Sequence, residues 1–226
     1  QTRIYPEDPA REFLPSTGTI RHLRWPPPGE AVRVDTGVRE GDPVTVHYDP
    51  LLAKLIVHGI DRDDALRRLQ RALGDCELLG VTTNLALLRA VSGHPGFQAA
   101  RLDTDFIAEH HAELFASPDA GVDAALAAAA ALGWAVNRAS ANERASDTQN
   151  PWNAHDGWRL NAPPRIQCRF VSQGRSLVVT LTRTLGSWQA EVGDRVLVLD
   201  ARFTADGNLH ALIEGQRWSM RWLEDT

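Results

Sequence analysis

The sequence has few cysteines and no basic run. Its 226 residues contain two cysteines, Cys76 and Cys168, which are far apart and lack the spacing of metal ligands. We therefore expect a reduced, cytoplasmic protein of the bacterial type, with both thiols packed as small apolar groups. The formal net charge is −5 and no stretch is rich in Lys and Arg, which argues against binding to nucleic acid.

A long apolar run is also missing. The most apolar segment, 122–136, is rich in alanine, and at about 15 residues it is shorter than the ~20 that cross a bilayer. We expect no membrane contact and interpret this segment as a buried helix. The chain begins at Gln1 without a signal peptide, so the sequence is expected to be an internal piece of a longer protein.

The sequence lacks the motifs of a self-contained active site. No GxSxG, GxxxxGK or dinucleotide-binding pattern occurs. His94, His110 and His111 are candidate metal ligands, but adjacent histidines point to different sides of a helix, so we predict no metal site. The acidic segment 61–64 lacks the Gly and Glu of a calcium loop and is typical of a helix N-terminus.

The first half predicts an antiparallel sheet with helices. Residues 55–57 form a β-branched run that ends at Gly59, which predicts a buried strand, and the periodicity of 61–74 predicts an amphipathic helix. Segment 17–25 predicts another strand. A second helix is expected over 84–91, capped by Thr83, and a third after Thr104 or Asp105. Residues 1–116 are therefore interpreted as one α+β domain.

The second half predicts a different domain, 117–226. Its first helix, 122–137, has no polar face and should be surrounded on all sides. From 165 onward the period is two, with turns every 8–12 residues, which predicts about six or seven antiparallel strands in a closed or nearly closed barrel. The expected architecture is an antiparallel β-barrel around a long central helix.

Between helix and barrel lies a polar segment, about 138–164, which we call the hook loop. It contains Trp152 and Trp158, and nothing in the surrounding sequence obviously buries them. Either the two rings fold back over the barrel mouth, or they anchor a partner protein, since tryptophan is frequent among interface hot spots. The residues alone leave both readings open.

Several ordered strings resemble the C-terminal lobe of biotin carboxylase. They comprise RIYPEDP at 3–9, FLPSTG at 13–18, VRVD at 32–35, YDP at 48–50, KLI at 54–56 and GVTTN at 80–84. The ATP-grasp portion that precedes this lobe in the family, and the biotin-attachment segment that follows later, have no counterpart here. The resemblance therefore implies a fragment that is inactive alone.

Further strings resemble the α subunit of 3-methylcrotonyl-CoA carboxylase, an enzyme of leucine catabolism. They are GHPGF at 93–97, DTDFI at 103–107, the pair at 110–111 and DGWRLN at 156–161. Propionyl-CoA and geranyl-CoA carboxylase α subunits are similar and remain alternatives. In such subunits the next region, called the BT domain, docks on the carboxyltransferase β subunit through its hook loop.

The resemblance implies a function for individual residues. Arg3 matches the family's active-site arginine, which faces bicarbonate and the biotin ureido group. We add the hypothesis that Asp49, or the pair Glu7 and Asp8, orients its guanidinium. For the partner interface the resemblance favours four residues of the hook loop: Trp152, Asn153, His155 and Trp158.

The predicted function is part of a ligase. In the parent enzyme, ATP, Mg²⁺ and bicarbonate carboxylate biotin, and the β subunit passes the carboxyl group to 3-methylcrotonyl-CoA. The expected partners are the β subunit and the biotinyl carrier domain of the same chain, and no cofactor is expected to bind the fragment itself. The alternative is a non-catalytic assembly module.

Overall fold

The computed structural model describes residues 1–47, 50–115, 120–144, 164–172, 175–184, 187–204 and 208–221, without the side chains of 120–122, 137–144 and 172. It separates into two compact units, Gln1–Ser117 and Pro118–Thr226. Each unit has its own apolar core. The chain is therefore organised as two packed bodies, each with its own sheet.

Among its described residues, the first unit contains nine short strands. They are β1 (Thr2–Ile4), β2 (Glu7–Asp8), β3 (Leu14–Pro15), β4 (Gly18–Thr19), β5 (His22–Arg24), β6 (Val32–Thr36), β7 (Pro43–Val44), β8 (Ala53–Val57) and β9 (Glu77–Leu79). The main sheet is antiparallel with the order β1-β8-β6, and three small pairs join β2 to β3, β4 to β7 and β5 to β9.

Strand β8 lies at the centre of the main sheet, as the pattern at 55–57 predicts, and Leu55 is fully buried. The single strand predicted over 17–25 is wrong. That segment forms β4 and β5, which pair with different partners, because the backbone at Ile20 bonds to Asp42 and Gly41 instead of continuing one ladder.

Helix α1 (Arg62–Asp75) confirms the amphipathic pattern of 61–74. Its N-terminus is capped by Asp61, whose side chain accepts a hydrogen bond from the backbone N–H of Asp64 at 2.7 Å. Acidic residues in the first turn also meet the positive end of the helix dipole. The apolar face buries Ala72 and Leu73 in the core that contains β8.

The remaining helices of this unit are short. They are α2 (Leu85–Gly93), α3 (Pro95–Gln98), α4 (Phe106–Glu109) and α5 (His111–Leu114), and Pro9–Arg11 forms a 3₁₀ turn. The third predicted helix is divided at His110 into α4 and α5. The predicted cap by Thr83 is wrong, because Asn84 occupies the N-cap position of α2 and directs its side chain elsewhere.

The second unit begins with one long helix, α6 (Ala120–Arg144). It ends seven residues later than the pattern predicts. The extension is polar, but it contains no Pro or Gly and includes the good helix formers Arg, Ala and Glu, so polarity alone does not end a helix. Within the described ranges, no helix has both the length and the apolar character needed to cross a membrane.

Six antiparallel strands follow as a meander. They are β10 (Arg165–Ser172), β11 (Arg175–Thr184), β12 (Ser187–Val192), β13 (Arg195–Phe203), β14 (Asn208–Ile213) and β15 (Gln216–Arg221). Each strand pairs only with its neighbours in sequence, and β10 and β15 do not pair in the described part of the chain. A barrel closes only when its first and last strands pair. The prediction of a closed or nearly closed barrel is therefore confirmed only as an antiparallel sheet packed on the helix, and closure is not found: within the described ranges the sheet is open between β10 and β15.

Helix α6 packs against β10, β11, β12, β13 and β14 of this open sheet. Ala128, Ala131 and Leu132 are fully buried, because alanine lets the strands approach the helix closely. Leu126 is 37% exposed and Trp134 is half-buried, and both lie on one helical stripe. The sheet therefore buries most of the described part of α6, as predicted, and the side of the helix that carries Leu126 and Trp134 is only partly buried.

At Gly133, helix α6 lies in close contact with the sheet. A Cβ atom there would lie 2.6 Å from Cδ2 of Leu209, which is fully buried. We predict that Gly133→Ala lowers the free energy of unfolding by about 1 kcal/mol, since overpacking costs about 1–3 and the gain in helix propensity is about 1. Urea unfolding followed by circular dichroism measures this.

Gly74 in α1 provides the matched control. A Cβ at Gly74 meets nothing within 4 Å, so Gly74→Ala should raise the free energy of unfolding by about 0.5–1 kcal/mol. Equal stabilisation by both substitutions would contradict the packing of α6 against β14.

Candidate functional site

Arg3 lies on the exposed face of the main sheet. It is the central residue of β1, and its direct cross-strand partner in β8 is Lys54. The side chain of Arg3 is exposed, and it makes no hydrogen bond or ion pair within the described part of the chain. Ile4, the next residue, points the opposite way into the core. The sheet therefore presents a guanidinium none of whose five donors is bonded by another described residue.

The backbone on both sides of Arg3 is held by Asn84. The Asn84 amide Nδ2 donates to the carbonyl of Arg3 at 3.2 Å, and its Oδ1 accepts from the backbone N–H of Tyr5 at 3.0 Å. The backbone N–H of Asn84 also donates to the carbonyl of Tyr5 at 3.1 Å. Asn84 is about eighty positions away from Arg3 and Tyr5 in the sequence. Its hydrogen bonds therefore join β1 to the start of α2 across a long stretch of chain.

Asn84 is buried, with 8% of its surface exposed. Each buried amide group that loses its hydrogen-bond partner lowers the free energy of unfolding by about 1–3 kcal/mol. The bonds of Asn84 to β1 are therefore strongly favoured over other placements of this side chain. Its side chain is well placed to cap α2, yet makes no capping bond. The chain therefore uses this amide to fix the strand that carries Arg3.

The same sheet face continues through Lys54 to Asp35, which is directly opposite Lys54 in β6. Asp35 accepts two hydrogen bonds from Arg33, from Nε at 2.7 Å and from a terminal nitrogen at 3.0 Å. These bonds hold the pKa of Asp35 below its usual value. Both oxygens of the Asp35 carboxylate are therefore already bonded by the planar guanidinium of Arg33.

The acidic residues expected to orient Arg3 are placed differently. Asp8 caps the 3₁₀ turn by accepting from the backbone N–H of Ala10 at 3.1 Å, and it accepts from Nε of Arg11 at 2.7 Å. Neither Glu7 nor Asp8 makes an ion pair with Arg3 in the described part of the chain. Asp49 lies outside the described residues, so its role stays a prediction.

A second cluster joins His94, His110 and Glu113, whose ligand atoms lie within 4.8 Å of one another. His94 Nδ1 accepts the backbone N–H of Gly96 at 3.1 Å, so the neutral ring carries its proton on Nε2 and donates it to Glu113 at 2.8 Å. This bond lowers the pKa of Glu113.

The tautomer of His94 decides between a metal site and a structural pair. A metal bound at Nε2 would move the ring proton to Nδ1, and the hydrogen bond from the backbone N–H of Gly96 would be lost. The ring of His110 packs 4.2 Å from that of His94, centroid to centroid. The cluster therefore ties α3 to α5, and His111, the other candidate ligand, stacks instead on Phe115.

Both cysteines are free thiols. Burial raises the pKa of Cys76 to about 11, and its Sγ donates to the carbonyl of Ala72 at 3.2 Å. Burial also raises the pKa of Cys168, which packs against the core of the second unit. Thiols protonated in this way are poor nucleophiles, so they serve as small core groups.

Two family models match the chain in tandem. The biotin carboxylase C-terminal domain matches residues 1–109, and the BT domain of the methylcrotonyl-CoA carboxylase α subunit matches residues 122–226. The chain therefore contains a biotin carboxylase C-terminal domain followed by a BT domain of the methylcrotonyl-CoA carboxylase α-subunit type. The face that carries Arg3 lies in its biotin carboxylase C-terminal domain, and α6 with its open sheet forms its BT domain.

Individual relatives agree with this assignment. The chain is 38% identical over 181 residues to the mitochondrial methylcrotonoyl-CoA carboxylase subunit alpha of Dictyostelium discoideum, covering 80% of this chain and 26% of that protein. It is 44% identical over 110 residues to the biotin carboxylase of Halalkalibacterium halodurans, covering 49% of this chain and 24% of that protein. The chain thus spans about a quarter of the length of these relatives.

A solved structure of Rhizobium etli pyruvate carboxylase is also similar. It has a TM-score of 0.52 and 33% sequence identity, and the match covers 61% of this chain and 13% of that one. The match supports the mixed helix and sheet architecture described above.

The residues expected at the partner interface cannot be placed. Trp152, Asn153, His155 and Trp158 all lie in 145–163, outside the described residues. The described part of the hook loop is 138–144, which belongs to α6, and Pro164, which precedes β10.

Sequence reasoning does not place Asn84 or Lys54 beside Arg3, although both occur in the strings that resemble biotin carboxylase. The local patterns predict only that a helix begins at 84 and that a buried strand covers 55–57. Only the register of β1 with β8, and the contact of β1 with α2, bring them to Arg3.

Proposed function

We propose that this chain is part of the biotin-carboxylating α subunit of an acyl-CoA carboxylase and contributes Arg3 to the carboxylation site. One observation carries the proposal: Arg3 is exposed, unpaired in the described residues and held on a strand fixed by Asn84. The ATP- and Mg²⁺-binding groups would come from other parts of the complete subunit.

The chemistry suits a guanidinium. Biotin supplies the ureido nitrogen that receives the carboxyl group, and negative charge develops on the oxygens of bicarbonate and of the ureido group. A guanidinium stays charged at all working pH values and bonds such oxygens with a planar fork of donors. Because Asn84 fixes the strand, the donors are in place before the charge develops, which is the basis of electrostatic preorganisation.

The second part of the proposal concerns assembly. A BT domain in such a subunit supports docking on a partner, which we propose to be the carboxyltransferase β subunit, with the hook loop as the contact. The relatives named above favour 3-methylcrotonyl-CoA as the final acceptor over propionyl-CoA or geranyl-CoA. The D. discoideum relative is mitochondrial by name. For the present chain, a bacterial-type cytoplasmic location is still only our prediction.

Replacing Arg3 tests the catalytic part. In the complete α subunit, Arg3→Ala should lower biotin-dependent ATP turnover, as kcat/KM, by about 10²-fold, the loss typical of one charge-stabilising donor. Arg71→Ala is the control, because Arg71 is an exposed arginine on α1, away from β1. Unchanged turnover in Arg3→Ala would refute the assignment.

Replacing the loop tryptophans tests the docking part. Trp152→Ala combined with Trp158→Ala should weaken association of the complete α subunit with its β subunit by about 100-fold or more, since a hot-spot residue contributes about 2 kcal/mol or more. Val196→Ala, at an exposed position of β13, is the control. Affinity equal to wild type, measured by calorimetry, would rule out these rings as anchors.

A further inference from the structure

The outer face of the second sheet carries a small group of basic side chains on β13, β14 and β15. Arg202 lies directly opposite His210, and in the neighbouring row Leu212 lies directly opposite Arg217. Successive side chains of a strand point to opposite faces of the sheet. Because Ala211 is buried in the core with α6, the four side chains of these two rows point away from the helix.

An open concavity of about 420 Å³ lies on this face. Arg202, His210 and Arg217 line it, one from each of the three strands. Leu212 also lines it, on the strand between the two arginines, and is 46% exposed. Sites for small ligands measure about 300–1,000 Å³ and combine apolar surface with a few convergent polar groups. The concavity therefore has the size and the lining of a site for one small ligand.

The basic side chains at this concavity have no partner. Within the described ranges, neither arginine side chain makes an ion pair or a hydrogen bond, and the same holds for the ring of His210. Two other arginines of the same sheet are paired, Arg165 with Glu191 at 2.9 Å and Arg195 with Glu214 at 3.7 Å. The guanidinium groups at the concavity thus remain available to an anion.

One carboxylate, Asp200, also lines the concavity. It lies directly opposite Leu212 and two residues before Arg202 on β13. Within the described ranges its carboxylate forms no ion pair with either arginine. Two guanidinium groups against one carboxylate leave the concavity positive, in a chain whose formal net charge is −5.

We propose that this concavity binds a phosphate group, held by Arg202 from β13, by His210 from β14 and by Arg217 from β15. A guanidinium fork matches two oxygens of a phosphate group. The imidazole offers one N–H donor in either neutral tautomer. Phosphate oxygens point in several directions, so one group can accept from three strands at once, whereas the two oxygens of a carboxylate lie in one plane. The inference concerns the second unit and does not depend on the proposed role of Arg3.

Titration calorimetry with sodium diphosphate at constant salt tests the site. The full 226-residue chain is used with Arg3→Gln, so that an anion at the face of Arg3 contributes no heat. Further replacement by Arg202→Gln or Arg217→Gln should raise the Kd by about tenfold, as expected for the loss of one charged donor. Circular dichroism checks that each variant is folded.

Arg169→Gln is the matched control. Arg169 is exposed on the same face of the sheet, directly opposite Val178, and does not line the concavity. Its replacement should leave the Kd unchanged. An equal rise of the Kd in Arg169→Gln and Arg202→Gln would show a general attraction of anions to this sheet, which would overturn the inference.

Asp200→Asn tests the sign of the bound charge. This substitution removes a negative charge from the lining, so the Kd for diphosphate should fall by about two- to threefold. A rise of the Kd would contradict binding of an anion at this place.

The ring of His210 reports the location of the ligand. Diphosphate should shift the one imidazole NMR resonance, among those of the eight histidines, that disappears in His210→Gln. Shifts confined to other histidines would place the anion elsewhere and refute the site. ADP in place of diphosphate distinguishes the source of the phosphate group: tighter binding of ADP, lost in Arg202→Gln, indicates a nucleotide, and tighter binding of diphosphate indicates an inorganic phosphate. Absence of saturable binding of both up to about 10 mM would refute the proposal.

Discussion

The exposed face that carries Arg3 depends on one buried amide. Strand β1 is only three residues long and lies at the edge of its sheet, so ladder bonds to β8 alone would hold it weakly. Asn84 adds bonds to the carbonyl of Arg3 and the N–H of Tyr5. Because these bonds act on the backbone, they position Arg3 while leaving its side chain free. A residue at the start of α2 thus determines where the guanidinium stands.

The second unit is organised by a steric constraint. Alanine dominates the buried face of α6, and its small side chains let the curved sheet approach from several sides. Gly133 permits a close approach, where Leu209 contacts the helix. Since β10 and β15 do not pair in the described residues, one helical stripe with Leu126 and Trp134 is less covered. The first unit thus exposes basic side chains on one face of its main sheet, whereas the core between α6 and the second sheet is built from apolar side chains.

Sequence patterns correctly predicted those strands and helices that depend mainly on residues close together in the chain. The buried strand at 55–57 and the helix at 61–74 follow from periodicity and from the Asp61 cap, and the structure confirms both. The six strands after residue 165 follow from the period of two and the turns between them. The predicted end of α6 is wrong because polar residues alone do not stop a helix, and no Pro or Gly interrupts 138–144.

Features that depend on contacts between residues far apart in the sequence could not be predicted in this way. Closure of a sheet depends on whether its first and last strands meet, and no single strand carries that information. The role of Asn84 depends on a contact across about eighty residues, and its local position suggested a helix start instead. The pairing of Arg3 with Lys54 depends on register, which a one-residue shift would remove.

The central claim is that Asn84 acts on function through Arg3, and a double-mutant cycle measures this directly. Four complete α subunits are compared by kcat/KM for bicarbonate: wild type, Asn84→Ala, Arg3→Ala and the double variant. The account predicts that Asn84→Ala lowers this value by about tenfold when Arg3 is present but less than about twofold when Arg3 is absent, as coupled residues do. An equal loss in both backgrounds would contradict it, because Asn84 would then act independently of Arg3.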